Sequence, residues 1–407
     1  MGSKLLQINT VINSGSTGRI AEEIGQKAMS LGWESYIAYG RNDRPSKSHK
    51  IKIGNEIDLK WHGAETRLFD RHGFASVNAT KKLIEQVKYI KPDIIHLHNV
   101  HGYYLNIDIL FNYLACANVS LVWTLHDCWT FTGHCTHFSY IGCEKWKTHC
   151  ESCPQKKEYP ASYFRDRSYS NYRQKKNLFT SVDKMTIVGV SQWLSNRVSE
   201  SFLSKFSNKV IHNGIDLSAF YPIDNCADIM DKYKIPRHKF ILLGVAGVWS
   251  DRKGLADFVE LSKTLEKDEI VVLVGTNKKI IRKLPSNIIG IERTENVNEL
   301  AKLYSASEVL LNLTKEDSYP TINMEAIACG TPVITYNTGG SPESITPTTG
   351  FVSSQGNLSE IRDRINEIKK IGKENYSNPC REYALANFDK DVKYNEYIQL
   401  YNNLLKQ

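Results

Sequence analysis

No stretch of this sequence approaches the roughly 20 consecutive apolar residues that span a bilayer, which argues against a membrane-spanning helix. The opening residues, MGSKLLQINT, carry no cleavable signal pattern and lead directly into an apolar segment. Low-complexity tracts and short-period repeats are also missing. We therefore expect an ordinary globular protein that resides in the cytoplasm.

Charge of one sign is only slightly in excess. The net charge is +8, from 52 basic and 44 acidic residues, and the excess is concentrated in residues 81–91 and 165–176. These stretches are either solvated faces or surfaces that attract an anionic membrane or a phosphorylated ligand. Because no known nucleic-acid-binding module is present, we expect no nucleic-acid partner.

Apolar segments of strand length alternate with segments of helix length along the whole chain of 407 residues. Strands separated by helices imply parallel sheets with helices on both faces. The predicted strands lie at 5–9, 34–40, 93–99, 120–127, 185–191 and 209–216 in one set, and at 240–247, 270–275, 287–292, the end of 299–313 and 332–337 in the other. The sequence therefore predicts an α/β fold with two doubly wound domains that divide near residues 214–222.

A glycine-rich corner, GSTGR at residues 15–19, follows the first predicted strand and precedes a helix. Such a corner leaves backbone N–H groups free to meet an anion, and glycine permits close approach. Gly15 and Gly18 do not match G-x-G-x-x-G, so a dinucleotide-binding fold is not supported. The corner either contacts a phosphate group or serves only the chain reversal.

Histidine and aspartate close the strand in TLHDCW, residues 124–129. Open α/β sheets bind ligands at the carboxyl ends of their strands, so His126 is a candidate functional residue, although a hydrogen-bonded structural histidine is the alternative. His98 and His101 approach the same edge, whereas His96 is expected to belong to its strand.

Two cations, Arg252 and Lys253, follow a buried strand in GVWSDRKG and open a helix. Cations at a helix N-terminus oppose the helix dipole, and this misfit suggests that an anion lies between them. Guanidinium and ammonium groups in this position would neutralise a diphosphate.

The segment EDSYPTINMEAIACG, residues 316–330, combines carboxylates with a predicted helix start. We expect Thr321 to cap this helix and Gly330 to end it. The N–H groups of Ile322 and Asn323 could then bind phosphate, while Asp317 and Glu325 could accept hydrogen bonds from sugar hydroxyls. Phosphate at the amides and a polyol at the carboxylates describe a sugar nucleotide.

Four cysteines are clustered after His126 with the spacing C-x7-C-x6-C-x2-C: Cys135, Cys143, Cys150 and Cys153. They could hold a structural zinc ion, form disulfides or remain free thiols. A neighbouring histidine could replace one thiol: His134, His137 or His149. We assign no catalytic metal or other cofactor to the chain.

Taken in order, the motifs resemble glycosyltransferase family 4. They are GSTGR, TLHD, HNGID at 212–216, DRKG at 251–254, the acid–x7–acid block from Asp317 to Glu325 and TGGSPE at 338–343. The resemblance covers nearly the whole chain and implies the GT-B fold, with two Rossmann-like domains that face a cleft. Residues 1–216, with a Cys-rich insertion at 128–154 and completed by a returning helix at 389–407, would bind the acceptor. Residues 217–388 would bind the nucleotide sugar.

The resemblance also assigns roles to single residues. Glu325 corresponds to the acid that binds the nucleotide ribose, and Asp317 to the acid that contacts the donor sugar, a position Glu316 could take by a one-residue shift. The remaining assignments are Lys253 at the diphosphate, His126 near the transferred sugar, and Gly15 with Gly18 in the loop over the diphosphate.

Two departures from the family pattern bear on the donor site. Family members often carry an arginine five residues before the conserved lysine, where this chain has Val248; Arg252 could supply that charge instead. The corner between the acids reads Ser-Tyr-Pro-Thr where the family commonly has Gly-Phe-Gly-Leu, so the sugar pocket is expected to differ.

The resemblance implies a glycosyltransferase that retains the anomeric configuration and extends a capsular polysaccharide or exopolysaccharide. The donor would be a nucleotide-diphosphate sugar and the acceptor a glycan, in particular a lipid-linked one at the inner membrane face. Two alternatives stay open: a non-catalytic nucleotide-sugar-binding assembly protein, and a sugar-nucleotide epimerase of the same fold.

Overall fold

A computed structural model describes residues 2–406, which form two compact units. Unit 1 runs to His212 and takes in the chain again from Lys393, and unit 2 comprises Asn213–Val392. The predicted boundaries, 216/217 and 388/389, each differ from these by four residues.

Residues 213–216 belong to unit 2 because they pair with the segment that precedes the last helix. The Ile215 N–H donates to the Phe388 carbonyl at 2.8 Å, and the Lys390 N–H donates to the Ile215 carbonyl at 3.1 Å. Lys390 Nζ also meets Asp216 Oδ2 at 2.6 Å. The two crossing segments are therefore fastened to each other within unit 2.

Unit 1 is built on a seven-stranded sheet in the order β3-β2-β1-β4-β5-β6-β7, and every pair is parallel. The strands are β1 (Lys4–Val11), β2 (Glu34–Arg41), β3 (His49–Lys52), β4 (Ile94–Leu97), β5 (Ser120–Leu125), β6 (Met185–Gly189) and β7 (Ser207–Val210). The helices are α1 (Gly15–Ser30), α2 (Glu56–Phe69), α3 (Val77–Ile90), α4 (Ile107–Cys116), α5 (Ser168–Thr180), α6 (Gln192–Ser199) and α14 (Lys390–Leu405).

Unit 2 contains a six-stranded parallel sheet in the order β10-β9-β8-β11-β12-β13. The strands are β8 (Phe240–Val245), β9 (Glu269–Val274), β10 (Ile288–Ile291), β11 (Val309–Asn312), β12 (Val333–Tyr336) and β13 (Gly350–Ser353). The helices are α7 (Ala227–Lys232), α8 (Leu255–Leu261), α9 (Lys278–Ile281), α10 (Val297–Ala306), α11 (Thr321–Ala328), α12 (Leu358–Ile371) and α13 (Glu374–Asn387).

Both sheets confirm the predicted doubly wound α/β architecture. In each, the first strand of the unit pairs with its second and its fourth, which is the strand order of dinucleotide-binding sheets and creates a switch point where the winding reverses. The central strands are apolar and buried on both faces, as in β9 and β12, because helices cover both sides of the sheet.

The edge strand β3 and the helix α2 were not predicted. Three of the four β3 side chains are exposed, so this strand has no apolar run. The α2 helix begins with a capping box in which the Asn55 side chain accepts from the N–H groups of Ile57 and Asp58, and the Asp58 carboxylate accepts from the Asn55 N–H. No helix among residues 2–406 is both long enough and apolar enough to cross a bilayer.

The returning helix α14 is held in unit 1 by two buried tyrosines. The Tyr401 hydroxyl lies 2.6 Å from Nδ1 of His96, and the Tyr397 hydroxyl accepts from Thr124 Oγ1 at 3.1 Å. Thr124 Oγ1 also lies 2.8 Å from Nε2 of His96. His96 is therefore a structural histidine within its strand, as the sequence predicted, with both ring nitrogens bonded to buried hydroxyls.

We expect Tyr401→Phe to destabilise unit 1 by about 1–3 kcal/mol, because it leaves a buried imidazole nitrogen without a partner. Urea unfolding followed by tryptophan fluorescence measures the change, since six of the seven tryptophans belong to unit 1. The matched control is Tyr89→Phe, which removes a hydroxyl from a side chain that is 89% exposed and should change stability little. Equal effects of the two variants would contradict the role given to Tyr401.

Candidate active site

In unit 2, the turn after β8 and the turn after β11 are joined where the winding of the sheet reverses. The Lys315 N–H donates to the Arg252 carbonyl at 2.8 Å, and Arg252 Nη1 donates to the Glu316 carbonyl at 2.6 Å. Gly254 has a φ of +78°, and a Cβ there would overlap the Leu313 carbonyl. The absence of a side chain at Gly254 is thus required for the two turns to meet.

This junction brings together two of the sequence-predicted residues. Lys253 Nζ lies 2.5 Å from Asp317 Oδ2, and the two side chains are 21% and 23% exposed. Arg252 does not join that pair, because its guanidinium is directed to the Glu316 backbone. Glu316 itself is fully buried, whereas Val248, at the position where the family often has arginine, is 77% exposed.

The TGGSPE segment fixes the backbone of Asp317. The Gly340 N–H donates to the Asp317 carbonyl at 2.9 Å. Gly339 has a φ of +58°, and a Cβ there would overlap the same carbonyl. The Gly340 N–H and the missing side chain at Gly339 therefore hold this acid against the turn.

Helix α11 begins directly after this turn, and its start differs from the prediction. Pro320 is the N-cap residue and Thr321 the first helical residue, and no side chain caps the helix. The Asn323 N–H donates to the Pro320 carbonyl at 3.3 Å, and among the described residues the Ile322 N–H has no protein acceptor. Gly330, with a φ of +75°, follows the last helical turn as expected.

Glu325 is buried within α11, with only 6% of its surface exposed. Its Oε2 accepts from the Tyr304 hydroxyl at 2.9 Å, so the carboxylate is held in one orientation. The side chain of Asn323 points instead into the protein, where it bonds to Asn312 and to Ser344. Because the Asn323 N–H donates to the Pro320 carbonyl, both the side chain and the backbone donor of Asn323 are already engaged within the protein, and the predicted phosphate contact at Asn323 is not prepared in this structure.

In unit 1, the GSTGR segment forms the first turn of α1 rather than a loop before it. Gly15 has a φ of +61° and open space where a side chain would be. Gly18 is packed differently: a Cβ there would crowd Val11 and the N–H of Asn13. Gly15 is therefore the glycine whose backbone is accessible, and Gly18 lets the helix lie against the strand that precedes it.

His126, at the end of β5, is the last member of a hydrogen-bonded chain of side chains. The Gln7 amide donates to the Ala21 carbonyl at 2.7 Å, which leaves Gln7 Oε1 as an acceptor 3.0 Å from His98 Nε2. His98 Nδ1 in turn lies 3.1 Å from His126 Nε2. With Gln7 oriented in this way, His98 donates through Nε2 and accepts through Nδ1, so His126 donates through Nε2 and its Nδ1 becomes an acceptor.

Burial keeps these rings neutral. Desolvation lowers the pKa of His126 to about 4, against an opposing effect of the Asp127 carboxylate. Desolvation also lowers the pKa of His98 well below its usual value. The chain of hydrogen bonds requires neutral rings. A protonated His98 would carry a hydrogen on both ring nitrogens, so its Nδ1 could not accept from His126.

Asp127 belongs to a second, adjacent pair. His101 Nε2 lies 2.8 Å from Asp127 Oδ2, and the Trp129 N–H donates to Asp127 Oδ1 at 2.9 Å. Burial alone would raise the pKa of this carboxyl, but the His101 ring and the Trp129 N–H bring it down to about 2. Asp127 is therefore ionised and serves to fix His101 and the backbone after β5.

The four predicted zinc ligands lie together in the segment after β5. All four line one small cavity, with His134, and all nine cysteines are free thiols. The disulfide alternative is thus not realised in this structure. His137 and His149 do not line this cavity.

Comparison with known proteins identifies the chain. Residues 17–219 match the model of "Glycosyltransferase Family 4", and residues 227–386 match the model of "Glycosyl transferases group 1". The chain belongs to glycosyltransferase family 4. This confirms the family that the motifs indicated, and with it the assignment as a glycosyltransferase.

Several proteins resemble this family 4 member along its whole length. A putative colanic acid biosynthesis glycosyl transferase of Escherichia coli (strain K12), WcaC, is 24% identical and covers 98% of the chain and 100% of its own length. The structure of sucrose-phosphate synthase from Thermosynechococcus elongatus covers 99% of both chains with a TM-score of 0.74 at 16% identity. Anabaena Alr3699/HepE, solved in complex with UDP-glucose, covers 98% of the chain and 99% of its own, with a TM-score of 0.68 at 15% identity. These likenesses confirm the GT-B fold class.

Sequence reasoning about this glycosyltransferase missed the partners that orient the predicted residues. Gln7 and Tyr304 carry no motif, yet they set the orientations of His126 and Glu325 through the bonds described above. One signal was available: Gln7 is a polar residue in the middle of an otherwise apolar strand, and a buried amide there requires polar partners.

We expect unit 1 to lose stability as the pH falls from about 6.5 towards 4. His62, His96, His98 and His126 are depressed in pKa by burial, to about 3 for His62 and about 4 for His126. In that range the unfolded state binds protons that the folded state does not, so lowering the pH favours unfolding by about 1–2 kcal/mol for each such histidine. Urea midpoints at pH 7.5 and 5.0, read by tryptophan fluorescence, measure the effect.

The control for this pH dependence is His238→Gln, which alters an exposed histidine of unit 2 and should leave the shift of the midpoint unchanged. A wild-type midpoint that is the same at both pH values would show that these histidines are not neutral in the folded protein.

Proposed function

We propose that this glycosyltransferase transfers a hexosyl or deoxyhexosyl group, with retention of anomeric configuration, from a nucleotide-diphosphate sugar to a glycan acceptor. The product would be a cell-surface polysaccharide, a capsule or an exopolysaccharide. Support comes from the full-length likeness to WcaC, named a putative colanic acid biosynthesis glycosyl transferase, and from the structure of HepE with UDP-glucose.

The observation that carries this proposal is the pairing of Lys253 with Asp317 where the winding of the unit 2 sheet reverses. In open α/β sheets, ligands bind at this point, beyond the carboxyl ends of the strands. Without a ligand, the ammonium group neutralises the carboxylate. When a donor binds, its diphosphate would take over Lys253, and Asp317 would turn to a hydroxyl of the transferred sugar.

The remaining donor contacts follow from the same turns. Arg252 would add a second positive charge next to the diphosphate, and the Ile322 N–H at the start of α11 would supply a donor to its oxygens. Glu325 would accept from a ribose hydroxyl, because Tyr304 already holds one of its oxygens and fixes the carboxylate.

The proposed chemistry is attack from the front face of the sugar. Retaining glycosidases place a nucleophilic carboxylate about 5–5.5 Å from the acid on the other side of the bond. Here Asp317 and Glu325 are both assigned to hydroxyl groups of the donor, so neither is proposed as a nucleophile. The acceptor oxygen would form the new bond to the anomeric carbon as the bond to the diphosphate oxygen breaks. The acceptor proton would pass to the departing phosphate oxygen, and Lys253 and Arg252 would stabilise the charge.

His126 would orient a sugar hydroxyl rather than remove a proton. Its ring is neutral near pH 7 because its pKa is about 4, and the chain from Gln7 leaves Nδ1 as an acceptor. A sugar hydroxyl is a group that such a nitrogen would accept from.

A lipid-linked acceptor would bring the enzyme to the inner membrane face. The basic stretch 165–176 exposes Arg165, Arg173 and Lys176, beside Phe164, which is 74% exposed. Cations interleaved with an exposed aromatic ring are typical of surfaces that attract anionic lipid headgroups.

We expect Lys253→Ala to lower kcat by about 100–1000-fold, because one preorganised charge contact to the leaving group is worth about 2.7–4 kcal/mol of barrier. Donor-dependent transfer, measured with the nucleotide sugar that gives the largest thermal shift, provides the rate. The matched control is Lys263→Ala, which removes an exposed ammonium group of unit 2 that pairs with Glu260. Equal rates for wild type and Lys253→Ala would remove the basis of the proposed donor site.

A panel of nucleotide sugars tests the reaction class. We expect one donor to raise the melting temperature, as any ligand specific for the folded state does, and to be consumed with an acceptor glycan to give a product of unchanged anomeric configuration by NMR. Binding without transfer or hydrolysis would instead indicate the non-catalytic assembly protein. Isomerisation of the donor in the absence of acceptor would indicate the epimerase.

A further inference from the structure

Residues 132–154 of unit 1 contain no α-helix or β-strand, and short 3-10 helices are their only regular structure. A segment of this length within a compact unit needs another source of order. It surrounds a cavity with about 10 Å³ of free volume, which is the space of a single ion or water molecule. Four cysteines, one histidine and one carboxylate line it: Cys135, Cys143, Cys150, Cys153, His134 and Glu151.

The thiols lie close to one another. Cys135, Cys150 and Cys153 line the same small cavity, and Cys150 precedes Cys153 with the C-x2-C spacing that structural zinc sites use. Cys135 is 6% exposed. Thiolates are soft ligands, and they favour zinc over hard divalent ions such as magnesium and calcium.

His134 provides the independent observation. It is 2% exposed, its Nδ1 lies 2.6 Å from Asp70 Oδ1 and its Nε2 is buried without a hydrogen-bond partner. Metal-binding histidines nearly always donate their other ring nitrogen to a carboxylate or carbonyl. The Asp70–His134 pair has this arrangement, and an ion in the cavity would give Nε2 the partner that it lacks.

Lys175 supports the same interpretation through its charge. This lysine is 1% exposed, and its Nζ donates to the carbonyls of Trp129 and Thr132. Among the residues that the structure describes, no carboxylate lies within ion-pair distance of it. Three thiolates, a neutral histidine and Zn²⁺ carry a net charge of −1, which a buried ammonium group beside this segment would balance.

We propose that unit 1 binds one structural Zn²⁺ through the thiolates of Cys135, Cys150 and Cys153 and through Nε2 of His134. Within residues 2–406, no three histidine, cysteine or acidic side chains are already arranged as ligands of a single ion. The thiols therefore turn towards Nε2 when the ion enters, and they release their protons to solvent. The ion closes the loop between β5 and α5, and it takes no part in sugar transfer.

Metal analysis of the full-length protein, purified without an affinity tag after growth with added zinc, tests this proposal. We expect about one zinc per chain in the wild type and close to none in Cys150→Ser and Cys153→Ser. Cys116→Ser, which alters an exposed cysteine outside the cavity, is the matched control and should keep its zinc. Because a serine variant could fail to fold, cobalt substitution of the wild type provides a second measurement: charge-transfer bands from thiolate to cobalt are expected.

The fourth ligand is decided by a pair of variants. We expect His134→Gln to lose zinc and Cys143→Ser to retain it; the opposite result would overturn the assignment of His134. Asp70→Asn should weaken zinc binding by about 10–100-fold in competition with a chelator, since it alters the group that orients His134. Asparagine tolerates the left-handed conformation found at Asp70.

Two results would overturn the proposal as a whole. One is a wild-type protein that contains no zinc and takes up no cobalt. The other is a disulfide between Cys135 and Cys153 in protein purified without reductant, shown by mass spectrometry of its peptides.

Discussion

The parallel pairing of β8 with β11 is the constraint on which the chemistry of unit 2 depends. Leu242 and Leu243 are in register with Val309 and Leu310, although more than sixty residues separate them, so the turns that follow the two strands are neighbours. Gly254 lets those turns touch. Their contact places the Lys253 ammonium group against the Asp317 carboxylate, although the two residues are far apart in sequence. Shifting this register by one residue would reverse the faces of the side chains and separate the two charges.

Unit 1 uses the same geometry with a different kind of interaction. Its neighbouring strands β1, β4 and β5 bury polar side chains that bond to one another across the sheet, from Gln7 through His98 to His126. A buried polar group without a partner costs about 1–3 kcal/mol, so the chain of bonds is maintained as a unit. As a result, the His126 imidazole is neutral and Nδ1 is its acceptor nitrogen. A histidine at a strand end without these partners would not have a fixed tautomer.

Local pattern predicted most strands and the family, because apolar runs and motifs such as TLHD and DRKG are contiguous in sequence. The resemblance to the family, rather than any local pattern, assigned Lys253 and Asp317 to one donor site. The predicted start of α11 was wrong. Thr321 was expected to be the N-cap, but Pro320 takes that position and Thr321 is the first helical residue. The roles of Tyr304 and Gln7 could not be predicted, since each depends on a contact with a residue on another element. The fastening of 213–216 to the segment before α14 is likewise a pairing between distant parts of the chain.

Helix α14 gives unit 1 an unusual order of assembly. The buried hydroxyls of Tyr397 and Tyr401 complete the bonding of His96 in the middle of the sheet, yet they are synthesised after the whole of unit 2. Domains generally fold as they leave the ribosome, beginning at the amino terminus. Here unit 1 emerges first but stays incomplete, with polar groups in its core unsatisfied, until unit 2 has been made. Chaperones and proteases therefore have their longest access to this chain while unit 1 waits for α14.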